Sequence, residues 1–251
     1  MQVSLFVTCL VDQISPQVGV AAVELLRRLG VGVTFNAEQT CCGQPAYNAG
    51  YHREARAVAR RTLRLLEREL DSSDYVVVPS GSCVAMIRKC YAKLFSVDAA
   101  ECARAERVAG RVLELTEFLV RVLRVDSAGR SFGERVTYHD SCHLLRELGV
   151  ANEPRTLLSG MQGAEFIEMD RADVCCGFGG TFSVKFPELS TALAEEKLAS
   201  IERTGADAVV ACDTGCLMHL AGVLNRRGSP VRCLHIAEFL NAQPKADETR
   251  D

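Results

Sequence analysis

Eight of the chain's 12 cysteines fall into two sets that share one spacing. Cys142 follows Cys9 by 133 residues, Cys175 and Cys176 follow the adjacent pair Cys41 and Cys42 by 134, and Cys216 follows Cys83 by 133. Unrelated core cysteines have no reason to hold a common offset at four places, so the register marks an internal duplication. Whatever this chain folds into must consist of two similar halves that present four sulfurs in the same way. Glu117-Phe118-Leu119 is echoed by Glu238-Phe239-Leu240 at an offset of 121, so the first half carries about a dozen extra residues, expected within 91–111. Cys90, Cys102, Cys212 and Cys233 stand outside the register and read as packing residues, Cys212 least securely because it lies four positions before Cys216.

The surroundings of each quartet repeat as well. Short apolar runs rich in β-branched residues at 3–7, 31–35, 75–78, 135–138, 165–167 and 208–211 read as strands, and the spacings at 18–29, 53–70 and 187–203 read as helices. The glycine-containing segments 37–50 and 175–181 read as loops carrying the double cysteines, and 79–83 and 213–216 as turns into further helices. All eight quartet members are thus expected on loops after strands. Strands alternating with helices predict an α/β fold of two similar Rossmann-like halves with mostly parallel sheets, whose ligands sit at the carboxyl ends of the strands. The halves are expected at residues 1–125 and 134–251, with Asp126-Ser127-Ala128-Gly129-Arg130 as the connection.

Composition narrows the chemistry. With 251 residues the chain buries a core without covalent staples, and it shows neither an amino-terminal secretion pattern nor an apolar run long enough to span a membrane. A cytoplasmic location is expected, where clustered cysteines point to metal or redox chemistry rather than to disulfides. A net charge of −3 without a basic block argues against nucleic acid as a partner. The chain lacks a Walker A sequence, a Gly-x-Gly-x-x-Gly fingerprint, a nucleophile elbow and a His-Glu-x-x-His pair. Cys176-Gly177-Phe178-Gly179-Gly180 is glycine-rich but has no P-loop lysine.

Adjacent cysteines form strained disulfides, whereas neighbouring thiolates on a glycine loop suit the soft irons of a cluster. Cys9, Cys41, Cys42 and Cys83, and then Cys142, Cys175, Cys176 and Cys216, are therefore the expected ligands of up to two iron-sulfur clusters. Zinc is the alternative metal. Neither quartet has the paired knuckles of a structural zinc site, but Cys212 with Cys216, and His139 with Cys142 and His143, keep zinc open in the second half. His143 otherwise reads as a hydrogen-bond donor or helix-start residue, and His52, His219 and His235 as ordinary surface or helix histidines.

Val7-Thr8-Cys9, Cys41-Cys42-Gly43-Gln44-Pro45, Gly81-Ser82-Cys83, Cys142, Asp173 through Phe182 and Gly215-Cys216-Leu217-Met218 together resemble the duplicated CCG-domain iron-sulfur proteins, and among them the lactate utilization protein A family. The resemblance runs over nearly the whole chain, including His235-Ile236-Ala237-Glu238. It implies 4Fe-4S clusters on the eight cysteines. It further implies an electron-transfer role in a complex oxidising L-lactate to pyruvate, and because the sequence carries no flavin or nicotinamide signature this chain is not expected to act alone. The implied partners are other lactate-utilization subunits, including a ferredoxin-like iron-sulfur protein. The related cysteine-rich component of heterodisulfide reductase ends each repeat in Cys-x-x-Cys; the earlier position here is Ser80 in one half and Asp213 in the other. That departure weighs against cluster-dependent thiol-disulfide chemistry, the first rival function; a noncatalytic zinc-stabilised interaction module is the second.

Overall fold

The computed structural model describes residues 1–127 and 133–242. Residues 128–130 of the expected connection and the final residues 243–251 lie outside the described residues. Two four-stranded sheets carry the fold. The first comprises β1 (Gln2–Leu5), β2 (Gly32–Thr34), β3 (Tyr75–Val78) and β4 (Val112–Glu114). The second comprises β5 (Arg135–Tyr138), β6 (Glu165–Phe166), β7 (Ala208–Ala211) and β8 (Arg232–His235). Their orders, β2-β1-β3-β4 and β6-β5-β7-β8, are the same, and every pairing is parallel. The duplication is therefore present in topology as in sequence. Helices cover both faces of such sheets, which is why β3 is a run of valines with no exposed member between Val76 and Val78.

Helix His52–Ser72 shows how one segment meets this demand. Ala55, Ala59, Thr62, Leu63, Leu66 and Leu70 recur at helical spacing and are buried, while its arginines occupy the outer face. The extra residues of the first half form helix Ala99–Ala109, which lies between the cysteine-bearing helix and β4 and has no counterpart before β8. It sits within the expected 91–111.

The two halves exchange their last helices. Helix Ile236–Asn241 leaves β8 and packs on helix Pro16–Arg28 of the first half, where Arg28 Nη2 donates to Leu240 O at 2.8 Å and Asn241 Nδ2 to Glu24 Oε2 at 2.6 Å. Reciprocally, helix Leu115–Glu117 and its π-helical continuation Phe118–Val122 leave β4 and pack on helix Asn152–Ser159, where Arg121 Nε donates to Glu153 Oε1 at 2.6 Å. One hydrophobic core consequently runs from Val3 to Leu240 across both halves.

Sequence reasoning places all eight register cysteines on loops; the structure corrects this for half of them. Cys9 opens helix Cys9–Ile14, Cys83 lies in helix Gly81–Ala85, Cys142 immediately precedes the π-helical turn His143–Glu147, and Cys216 is in the first turn of helix Thr214–Arg227. Only the double cysteines are on loops. A first helical turn leaves backbone N–H groups without intrahelical partners and suits thiolates electrostatically. His235 is a second correction. It is fully buried rather than an ordinary surface or helix histidine, because it caps helix Ile236–Asn241 at the contact between the halves.

Candidate metal centres

In the first half, three strand ends deliver the sulfurs. Cys9 follows β1, the pair Cys41 and Cys42 sits on the loop after β2, and Cys83 follows β3. Cys9 Sγ lies 3.6 Å from Cys41 Sγ, and Cys42 Sγ lies 3.3 Å from Cys83 Sγ. The loop is held from outside: Thr62 Oγ1 donates to Cys41 O and Tyr91 Oη to Cys42 O, both at 2.8 Å. Gly43, with φ at 88°, turns its N–H onto Cys41 Sγ at 3.3 Å. Hydrogen bonds from Cys42, Cys9 and Gly43 hold the Cys41 thiol far below its ordinary range, at about 3, while donation to Cys41, and then burial, push Cys9 and Cys42 up. Cys42 and Cys83 are buried; Cys9 and Cys41 border an open cleft of about 310 Å³ lined also by Thr8, Asp12, Phe35 and Gln39. A larger cleft of about 580 Å³, at the amino ends of β5 and β8, contains no cysteine.

The second half repeats the arrangement with one difference. Hydrogen bonds from Cys142, Cys176 and the Gly177 N–H at 3.3 Å hold Cys175 at about 2, and Cys142 and Cys176 are pushed up. Gly177 has φ at 89°, and a Cβ there would lie 2.3 Å from Ser190 O, so only glycine lets this loop rest on helix Pro187–Arg203. Cys216 is held at about 6, first by Cys176 and then by His139. One donor atom each from His139, Cys176 and Cys216 lie within 4.8 Å of one another, and His139 is fully buried.

The remaining cysteines stay outside both quartets. Cys90 sits beside Tyr47, Cys102 Sγ faces Ala92 O at 3.6 Å, Cys212 Sγ faces Tyr138 Oη at 3.3 Å, and Cys233 lies on β8 with burial raising its thiol to about 12. Cys212 is thus turned from Cys216 toward the core. His143 begins its helical turn as expected. Sequence reasoning gives His139 only a place beside Cys142 and His143; its contact with Cys176 and Cys216 is invisible there because no local spacing links them. Soft sulfur donors with one imidazole, gathered at helix starts and glycine N–H groups, form an environment suited to a thiolate-bound metal.

Residues 3–88 and 136–221 each match the family model described as the CCG cysteine-rich domain. The chain is 48% identical over 243 residues to lactate utilization protein A of Geobacillus kaustophilus, covering 97% of this chain and 100% of that protein. It is likewise 46% identical to the proteins of that name from Bacillus licheniformis and Bacillus subtilis, again over 97% of this chain and 100% of each relative.

Proposed function

The chain belongs to the lactate utilization protein A family of duplicated CCG cysteine-rich proteins, and on that premise we propose that it is an iron-sulfur electron-transfer subunit of a complex oxidising L-lactate to pyruvate. The observation that carries the reading is the convergence of four register cysteines in each half, with the first cysteine of each double-cysteine loop accepting hydrogen bonds from its sulfur neighbours and from a glycine N–H. Residues 1–125 and 134–251 serve as the two duplicated units. Cys9, Cys41, Cys42 and Cys83 would hold one cluster, and Cys142, Cys175, Cys176 and Cys216 the other. A bound 4Fe-4S cluster supplies one-electron transfer, so two of them suit the two electrons released by a 2-hydroxy acid.

The chain's own residues set the conditions. Gly43 and Gly177 donate N–H groups to sulfur, which stabilises the added negative charge. Burial of Cys42, Cys83 and Cys176 keeps water from one side of each quartet, while half-buried Cys9, Cys41, Cys142 and Cys175 leave the other side accessible to a partner protein. The partners proposed are the other lactate-utilization subunits, among them a ferredoxin-like iron-sulfur protein. No helix among the described residues is long and apolar enough to cross a membrane.

His139 beside Cys176 and Cys216 favours a second reading, zinc in the second half. Anaerobic assay of the cluster-loaded chain with L-lactate and an artificial acceptor, alone and with its partner subunits, tests the first. Turnover only with partners supports electron transfer; turnover by the isolated chain places the lactate site within it and overturns the electron-transfer reading.

A further inference from the structure

The two centres differ at the first residue beyond the leading strand. Phe6 N donates to Val77 O at 3.0 Å, and His139 N donates to Val210 O at 2.9 Å, so Phe6 and His139 hold the same place in their halves. Phe6 is an ordinary apolar core residue. His139 occupies an equally dry position with an imidazole; neither Nδ1 nor Nε2 makes a hydrogen bond of ordinary geometry among the described residues, and the thiol it helps to hold low is that of Cys216. Leaving a buried polar group unsatisfied costs about 1–3 kcal/mol. The nearby atoms able to repay that cost are Cys176 Sγ and Cys216 Sγ, which lie with one imidazole nitrogen inside 4.8 Å.

We propose that His139 is a metal donor of the second centre, acting beside Cys176 and Cys216, so that the duplicated chain carries one all-cysteine centre and one mixed cysteine-histidine centre. The proposal rests on the metal-binding reading of the quartets and adds a chemical inequality between them. A neutral imidazole brings less negative charge to a metal than a thiolate, and histidine ligation raises the potential of iron-sulfur centres. With the imidazole in place of one thiolate of the second quartet, that centre is the more readily reduced of the two, which gives electrons a preferred resting place within the chain. Duplication supplied the two sites, and the exchange of one aromatic core residue for another distinguishes them.

The test uses the full chain carrying Cys42→Ser, which leaves the second centre as the one observed, with histidine labelled by ¹⁵N and pulsed electron-nuclear double resonance as the readout. Cobalt(II) replaces the metal if analysis finds zinc. A strongly coupled nitrogen is expected, lost in His139→Phe, the substitution that installs the first half's own core residue, and retained in His143→Ala. The same chain without labelled-nitrogen coupling, or with only the weak coupling of a hydrogen-bonded ring, would overturn the proposal while leaving the metal reading intact. A His139→Phe variant that keeps the strong coupling would also overturn it. Full metal loss in that variant is checked against His139→Cys, which restores a soft donor and is expected to recover the metal without the nitrogen signal; failure to recover it counts against a ligand role. Absence of metal from both centres of the unmodified chain would sink the metal reading itself, and this inference with it.

Discussion

Ser80 Oγ donates a hydrogen bond of 2.7 Å to Asp213 Oδ1, across the contact between the two halves. The two residues hold the same place in the duplicated sequence, three positions before the last cysteine of each quartet. Asp213 also accepts from Ser82 N and Ser82 Oγ, at 3.1 and 2.7 Å; Ser80 and Asp213 are buried and Ser82 half-buried. These side chains are spent on joining the halves, a use that differs from the fifth cysteine of the heterodisulfide reductase pattern. The same contact is close-packed around glycine: a Cβ on Gly81 would fall 2.6 Å from Leu144 of the other half, and one on Gly215 3.5 Å from Leu10 of the other half, besides 2.7 Å from the Phe178 ring of its own.

Asp213→Ala should therefore weaken the fold rather than empty the centres. It strands the buried Ser80 donor, at a cost of about 1–3 kcal/mol. Denaturant unfolding should show that loss, with metal content per folded chain unchanged. Loss of one centre's metal in the folded variant would place Asp213 in the ligand set instead.

Cys42→Ser and Cys176→Ser should each lower the metal content by one centre, because a hydroxyl is a hard and poor replacement for thiolate. Cys102→Ser, whose sulfur faces Ala92 O, should stay near wild type. Equal losses in all three would break the assignment of the register cysteines.

Gly177→Ala and Gly43→Ala should differ in severity although both residues have positive φ. The added methyl at 177 would meet Ser190 O at 2.3 Å, whereas that at 43 would meet Ala55 O at 3.2 Å. Each carries the left-handed penalty of about 1–2 kcal/mol, and Gly177→Ala adds backbone displacement. Thermal unfolding should fall further for Gly177→Ala; the reverse order would contradict the loop packing described.

Burial, with Asp213 nearby, raises the Glu114 carboxyl to about 8. An acid whose folded value lies above its unfolded value, about 4.3, holds its proton more tightly when folded. Its contribution is complete below about pH 4 and is lost as pH rises through about 8. Glu114→Gln keeps the shape without the titration, so its stability relative to wild type should grow between pH 5 and pH 8, at up to about 1.4 kcal/mol per pH unit. A difference independent of pH would show that Glu114 titrates normally.

Much of this architecture is legible because the duplication and the strand pattern are written locally. The cysteine offsets mark both quartets, the β-branched runs mark the parallel sheets, and the mismatch at Glu117 and Glu238 locates helix Ala99–Ala109. Helix Cys9–Ile14 and helix Gly81–Ala85 are too short for apolar periodicity to register. The packing of helix Ile236–Asn241 on helix Pro16–Arg28 and the bond from His235 Nε2 to Pro79 O, 3.2 Å long, join residues more than a hundred positions apart, and nothing in a local window signals them. That bond, with Nδ1 accepting from Ala237 N, fixes a neutral ring, and burial holds His235 at about 4. His139 is hidden from the sequence for the same reason.

Iron and acid-labile sulfide per chain, determined on anaerobically purified protein together with the electron paramagnetic resonance of its reduced form, test the central claim most directly. Two thiolate-held clusters predict iron with matching sulfide and a reduced-cluster signal, each diminished by Cys42→Ser and by Cys176→Ser. Zinc without sulfide in both centres, or iron indifferent to both substitutions, would contradict them.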